Sequence, residues 1–429
     1  MKIALFTNTY LPHVGGVARS VQTLAEACRA RGHQVRVVAP EFENATPQPD
    51  VLRVPAIQHF HGSDFSVRLP VPNLIRDFMD DFRPDIIHSH HPFLLGDAAL
   101  RESWKMRVPL VFTHHTLYER YTHYIPLDSP ALQRFALRLA CEYCELCNQV
   151  IAPSESIARL LRERGVSSPI TAIPTGIDTA FFAAGKGTRF RKRAGIPHDA
   201  QVIGHTGRLA REKNLLFLAD ALAPLLAADR NRIFLVVGDG DARAEMLDHL
   251  RPHATADQLC FVGSQSGSDL ADAYAAMDCF AFASQTETQG LVLAEAMAAG
   301  KPVVALDGPG VREILHDQQN GLLLDAHAST HDFGKALARL LHDPALSASY
   351  SRAARNSAAS YDRDHCIDRV LDCYAALIER HPHDPSAADP GTWDRLLAGI
   401  SVEWSLLVEK MSAAAAAVSP SPATEAHRD

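Results

Sequence analysis

The 429-residue sequence predicts an α/β protein built from two parallel-sheet halves in tandem, with a helical tail. Three observations carry that expectation. Short apolar, β-branched runs recur along the chain, the kind of strand buried on both faces of a parallel sheet. Segments with an apolar stripe of helical period separate them. The length also exceeds what one ordinary core accommodates.

Residues 2–8 form the first strand. A loop with Gly15 and Gly16 follows, then a helix with Val17, Val21, Leu24 and Cys28 on one stripe, ending before Gly32. With the strand at 35–39 this makes a βαβ unit. The glycine pair lacks the G-x-G-x-x-G spacing of a dinucleotide fingerprint, although amides there suit the close approach of a phosphate. Strands at 86–89 and 108–112 run into histidines: His88, His90 and His91, then His114 and His115. Strand ends lie at the carboxyl edge of the sheet, where open α/β proteins bind ligands. No carboxylate or HxxxH spacing accompanies these histidines, so polar lining of a site is preferred to a metal cluster. Helical patterns at 130–149 and 154–164 flank a strand at 149–152.

A second series of strands falls at 170–173, 201–206, 232–237, 259–262, 279–283, 302–306 and 321–324. The turn-rich Pro174-Thr175-Gly176-Ile177-Asp178 is the expected hinge. Helices are expected at 330–342, 346–358 and 364–380. The domains are therefore 1–169, with helix 364–380 packing back on it, and 170–363. A tail at 381–429 contains an amphipathic helix at 392–411, whose Trp393, Leu396, Leu397, Ile400, Trp404, Leu407, Val408 and Met411 share one stripe. Packing on the body of the chain, or on a second copy as a homodimer, suits it better than a membrane.

Composition narrows the function. Hydrophobic residues make up 47% and charged residues 21%, as in soluble globular proteins. No apolar run approaches the roughly 20 residues that span a bilayer, and the amino terminus lacks a cleavable signal pattern, so a cytoplasmic enzyme is expected. Residues 1–172 hold 18 Lys and Arg against 17 Asp and Glu, out of 42 and 50 in the chain, and the net charge is −8. That is no nucleic-acid footprint. The eight cysteines are scattered, and Cys141, Cys144 and Cys147 follow a helical pattern with no fourth ligand nearby.

Two segments of the second half carry chemistry. In Gly204-His205-Thr206-Gly207-Arg208-Leu209-Ala210-Arg211-Glu212-Lys213-Asn214, Arg208 and Lys213 leave a strand end and can converge on one diphosphate. In the stretch from Ser284 to Gly300, a polar loop with Glu287 opens onto a helix holding Glu295 eight residues later. Gly238-Asp239-Gly240-Asp241 between them reads as a strand-to-helix turn with an aspartate N-cap.

Gly207-Arg208 with Lys213-Asn214, Val237-Gly238-Asp239-Gly240, Phe261-Val262-Gly263 and the Glu287–Glu295 pair resemble, in this order, the motifs of family 4 glycosyltransferases. The resemblance spans about residues 1–380. It implies a retaining enzyme of the GT-B fold, two Rossmann-like domains with parallel sheets facing across a cleft. It further implies that Arg208 and Lys213 hold the diphosphate of a nucleotide-sugar donor and stabilise the departing charge. By the same resemblance Glu295 binds the ribose and Glu287 the donor sugar. Gly290, Leu291 and Val292 offer amides to the phosphates, Val262 adds to the donor site, Gly16 lies beside the donor phosphate, and His115 lies near the reacting sugar. His115, Glu287, Arg208 and Lys213 are the catalytic expectations; no metal or other cofactor is implied.

The acceptor is read from a narrower likeness. The stretch from Phe112 to Ile125 and the Glu287-Thr288-Gln289-Gly290 form of the donor loop resemble bacterial diacylglycerol glucosyltransferases. This implies transfer of a hexose from a UDP-sugar to diacylglycerol in glycolipid synthesis, by a peripheral protein on the inner face of the cell membrane. Gly15, His91, His114 and Tyr118 are the acceptor-side expectations. The same chemistry on a soluble or polysaccharide acceptor stays open, as does a non-catalytic nucleotide-sugar-binding scaffold.

Overall fold

The strand runs are apolar without alternation because both of their faces are covered. The computed structural model describes residues 1–13, 15–42, 45–57, 67–68, 74–120 and 130–381. Nine strands come first: β1 (Lys2–Phe6), β2 (Gln34–Pro40), β3 (Val51–Val54), β4 (Ala56–Ile57), β5 (Val67–Arg68), β6 (Ile86–Ser89), β7 (Leu110–Thr113), β8 (Gln149–Ala152) and β9 (Ile170–Ala172). Six follow: β10 (Gln201–Thr206), β11 (Arg232–Val237), β12 (Leu259–Phe261), β13 (Cys279–Phe282), β14 (Val303–Leu306) and β15 (Gly321–Leu324).

The first sheet has the order β3-β2-β1-β6-β7-β8-β9, and the second β12-β11-β10-β13-β14-β15; β4 and β5 form a separate antiparallel pair. Pairing of β1 with β2 and β6, and of β10 with β11 and β13, is parallel. In each sheet the chain builds outward from one strand and then returns to its other side. The reversal lies between β1 and β6 in the first sheet and between β10 and β13 in the second. At such a point two loops diverge from the carboxyl ends of adjacent strands and leave a crevice.

β11 shows why the runs read as they do. Ile233, Leu235 and Val237 pack into one apolar cluster, with Phe280, Phe282, Tyr274 and Leu293. Phe234 and Val236 pack into another, with Leu218, Leu222, Phe333 and Leu337. Helices Gly267–Ala276 and Leu291–Ala298 cover the first face, and Leu215–Ala228 and Thr330–His342 the second. Each such fully buried side chain contributes roughly 1.5–3 kcal/mol.

The described residues divide into two compact units, one drawn from 1–151, 161–170 and 374–381, the other from 152–160 and 171–373. The expected tail helix at 392–411 lies outside the described residues, as does the stretch from Tyr121 to Ile125. Strand β3 and the helices Leu74–Phe82 and Leu95–Met106 are additions to the sequence expectation. Arg53 breaks the apolar run of β3, yet its guanidinium donates to the carbonyls of Leu11 at 2.6 Å and Pro40 at 3.2 Å and lies over the Tyr10 ring. Among the described residues no helix is long and apolar enough to cross a membrane.

Candidate active site

The crevice of the second unit lies between the loops that leave β10 and β13. The β10 loop begins at Gly207, whose amide donates to Val237, and tightens into a short 3₁₀ turn at Arg211–Lys213. A Cβ on Gly238 would sit 1.9 Å from the Gly207 carbonyl oxygen, and Gly238 has φ +140°. Only glycine lets these two strand ends pass so closely. The Gly238–Asp241 segment is the expected turn, with the Asp239 carboxylate accepting the Gly240 amide at 2.9 Å. Its aspartate cap is not formed: Ala242 occupies the N-cap of helix Arg243–Leu250, without a side-chain cap.

Lys213 and Glu287, remote in sequence, meet across the crevice with Nζ to Oε1 at 2.5 Å. Both side chains are mostly buried, at 16% and 19% exposure. Ser284 Oγ donates to the same carboxylate oxygen at 3.1 Å, and the Glu287 carbonyl accepts the Gly310 amide at 3.0 Å. Burial pushes the Glu287 carboxyl up, but the Lys213 charge and the hydrogen bonds from Lys213 and Ser284 outweigh it and hold the group below its ordinary value. Arg208 is likewise engaged, donating to Glu212 at 2.6 Å from a half-exposed position. The two expected diphosphate ligands therefore each carry a carboxylate partner, a feature absent from the sequence reading.

The loop ends at Gly290, with φ +72°, the N-cap of helix Leu291–Ala298. Leu291 and Val292 supply the first turn and so turn their amides toward the helix amino end, a favourable place for an anion. Glu295, one turn in, is buried at 1% exposure and accepts the Tyr274 hydroxyl at 2.7 Å. Tyr274 was not among the sequence candidates; a tyrosine on a distant core helix carries no local signal. Val262 has both main-chain groups engaged, its amide with Val236 and its carbonyl with the Gln265 side chain. Any donor contact there falls to its partly buried side chain. Gln289, part of the loop variant that pointed to a lipid acceptor, clasps the Thr175 main chain instead, accepting its amide at 2.8 Å and donating to its carbonyl at 2.7 Å.

The first unit has its own crevice, between the loops after β1 and β6. Asn8 ties them together: its side chain donates to Phe93 at 3.0 Å and accepts the Leu95 amide at 3.1 Å, while its amide donates to His91 Nδ1 at 3.0 Å. His91 is thus occupied in holding backbone, and burial pushes it down to about 3. Gly15 is the N-cap of helix Gly16–Ala30 in extended backbone, and space is open around Gly16. His114 and Tyr118, expected at the acceptor, lie in the interior at 1% and 7% exposure. Tyr118 packs edge-on against Phe93 and against Leu139 and Ala140 of helix Pro130–Glu145, and His114 packs edge-on against Phe112 and Tyr118. Their positions after β7, with Tyr118 opening a 3₁₀ turn at Tyr118–Arg120, give no hint of this burial. His115 is half-buried, and its Nε2 lies 2.9 Å from His90 Nδ1. Lys105, on helix Leu95–Met106, pairs with Asp80 at 2.7 Å.

Two parallel-sheet Rossmann-like units, one with cations and carboxylates gathered at its switch point, define a glycosyltransferase of the GT-B fold. Comparison with known proteins agrees. The family described as Glycosyltransferase Family 4 matches residues 14–181, and that described as Glycosyl transferases group 1 matches residues 186–357. The chain belongs to the family 4 glycosyltransferases and is a hexosyltransferase. It is 29% identical over 351 residues to an α-monoglucosyldiacylglycerol synthase of Streptococcus pneumoniae, covering 80% of this chain and 78% of that one. It is 28% identical to a GDP-mannose-dependent α-mannosyltransferase of Mycobacterium tuberculosis, covering 89% and 98%, and 32% identical to a D-inositol 3-phosphate glycosyltransferase of Stackebrandtia nassauensis, covering 70% of each. Among solved structures, sucrose-phosphate synthase from Thermosynechococcus elongatus superposes with a TM-score of 0.71 at 21% identity, over 88% of this chain and 99% of that one.

Proposed function

We propose that this glycosyltransferase moves a hexose from a UDP-sugar to a lipid acceptor, diacylglycerol, with retention at the anomeric carbon and without a metal. The observation that carries the proposal is the Lys213–Glu287 pair at the switch point, beside Arg208 and the amino end of helix Leu291–Ala298. In the proposed reaction the bond from C1 to the diphosphate oxygen breaks and the bond from the acceptor oxygen to C1 forms on the same face. The acceptor proton passes to the departing diphosphate. Lys213 and Arg208 balance the charge that develops on that leaving group, the role of a fixed cation in an electrostatic site. Glu287, kept ionised, accepts a hydroxyl of the transferred sugar, and Glu295, oriented by Tyr274, accepts from the ribose. The amides of Gly290, Leu291 and Val292 face the phosphates. In the first unit Gly16 allows close approach to a phosphate, and His115 hydrogen-bonds the reacting sugar.

The lipid acceptor draws support from the likeness to the pneumococcal synthase, which spans most of both chains. Work at the inner face of the cell membrane follows from that acceptor. A second reading, with GDP-mannose as donor, draws on the mannosyltransferase likeness. A mass-spectrometric product screen separates them: UDP-glucose, UDP-galactose and GDP-mannose are each supplied with diacylglycerol vesicles and EDTA. A hexosyl-diacylglycerol from a UDP-sugar is expected. A product from GDP-mannose alone would replace the donor assignment, and no lipid product with any donor would sink the acceptor.

A further inference from the structure

His90 sits at the carboxyl end of β6, buried, with Nδ1 2.9 Å from Nε2 of His115. The two rings lie side by side, 5.2 Å between centroids and 23° between planes, as a hydrogen bond between ring nitrogens requires, and His88 packs on His90 at 4.1 Å. Burial first, and the neighbouring histidines second, hold both His90 and His115 well below the ordinary histidine value, so both rings are neutral at pH 7. Two neutral imidazoles sharing one hydrogen bond have a single proton between them and only two arrangements.

In one arrangement His115 Nε2–H donates to His90 Nδ1, and the proton of His90 must then sit on its own Nε2. That atom is buried and has no hydrogen-bond partner among the described residues. His88 does not serve it, because its ring nitrogens are taken by the Tyr374 hydroxyl and by Thr113 Oγ1, the latter at 2.7 Å. This arrangement strands an N–H in the interior. In the other, His90 Nδ1–H donates to His115 Nε2, and His90 Nε2 is left as a bare lone pair, the more tolerable orphan. His115 then carries its proton on Nδ1.

We infer that His90 is a positioning residue that holds His115 as its Nδ1–H tautomer, so that His115 offers the reacting sugar or its phosphate a hydrogen-bond donor rather than a base. The inference rests on the proposed placement of His115 at the reacting sugar. It adds that deprotonation of the acceptor falls to some other group, in keeping with a proton that leaves on the diphosphate.

The test is ¹⁵N NMR of the full chain labelled at histidine, with the His115 signals assigned by their loss in His115→Ala. An unprotonated Nε2 and a protonated Nδ1 on His115 are expected. His90→Phe keeps the ring volume but removes the donor. It should mix the His115 tautomers and lower kcat about tenfold, the size of one orienting hydrogen bond, for UDP-glucose with dioleoylglycerol vesicles. His90→Asn, whose amide N–H can replace Nδ1–H, should restore both readouts. A wild-type His115 protonated on Nε2 would overturn the inference, and that measurement decides even if His90→Phe fails to fold. So would a folded His90→Phe with unchanged tautomer and kcat while His115→Ala is inactive. Full turnover in His115→Ala would instead remove the placement of His115 itself.

Discussion

Replacing Lys213 with methionine separates what its ammonium does for the fold from what it does for the reaction. The side chain keeps its unbranched apolar body and loses the ammonium, with its charge and its N–H donors. Glu287, four-fifths buried, then retains only the Ser284 hydroxyl among its named side-chain donors. Removing one partner of a well-buried pair costs about 3–5 kcal/mol, and a hydrogen bond to a charged group alone about 1.5–3 kcal/mol. With part of each side chain in water, about 2 kcal/mol is expected at pH 7. The pH dependence has a definite sign. In the native protein Glu287 lies below its ordinary value, so it stabilises the fold above the unfolded carboxylate pKa of about 4.3 and loses that contribution as pH falls through its lower folded value. In Lys213→Met burial is left largely unopposed and raises Glu287 above the unfolded value, so its ionised form destabilises at neutral pH. The stability gap between native and variant should therefore be largest at pH 7 and shrink toward pH 4. Urea unfolding at pH 7 and pH 4.5 reads it directly. The double substitution Lys213→Met/Glu287→Gln should recover most of the lost stability, because no bare charge remains buried. It should recover none of the activity. Loss of one preorganised group facing a leaving charge lowers kcat by about 10²–10³. A gap independent of pH, or a kcat within about threefold of native, would refute the reasoning.

Tyr274→Phe removes the hydroxyl that orients Glu295 while leaving its ring in the core; donor KM should rise several-fold with a stability loss of about 1 kcal/mol, read by initial-rate kinetics and urea melts. Asn8→Leu deletes two buried side-chain hydrogen bonds at the other crevice and should destabilise by about 2–4 kcal/mol, with amide exchange accelerated first at Leu95. Gly290→Ala forces a Cβ into φ +72° backbone and should cost about 1 kcal/mol together with weaker donor binding, measurable by UDP titration calorimetry.

Much of the fold was legible because its signals are local. A strand covered on both faces must be largely apolar, as β11 is from Ile233 to Val237, and a helix must show its stripe. The site was legible where a motif spans one strand–loop–helix joint, as from Ser284 to Glu295. What stayed hidden depends on contacts between distant segments. Spacing does not tell that β10 and β13 are neighbours, so the pairing of Lys213 with Glu287 could not be read, nor that of Tyr274 with Glu295. Asn8 is one polar residue at a strand end until β6 is placed beside β1. His114 and Tyr118 look like site residues because histidine and tyrosine often are; only the folded chain shows that Tyr118 packs on helix Pro130–Glu145 and His114 on Phe112 and Tyr118.

The pairing of both diphosphate candidates with carboxylates bears on how such a site discriminates. Long cationic side chains lose considerable rotamer freedom when they clamp a ligand. Here folding has already restricted much of that freedom, because Lys213 is held by Glu287 and Arg208 by Glu212. The local charge is also balanced, so a simple anion gains little by entering, since it must compete with a carboxylate for each cation. A nucleotide sugar has more to offer. Its diphosphate can share Lys213 and Arg208, its sugar hydroxyls can donate to Glu287, and its ribose can donate to Glu295. Glu287, which gives up part of its hold on Lys213, then gains hydroxyl donors in return. Inorganic pyrophosphate supplies only the first of these contacts and leaves Glu287 competing for Lys213. It should therefore bind far more weakly than a nucleoside diphosphate, and Glu287→Gln should strengthen pyrophosphate binding while weakening that of the nucleotide sugar. Isothermal titration of both ligands against native and variant protein checks the crossing, and parallel losses for the two ligands would contradict it.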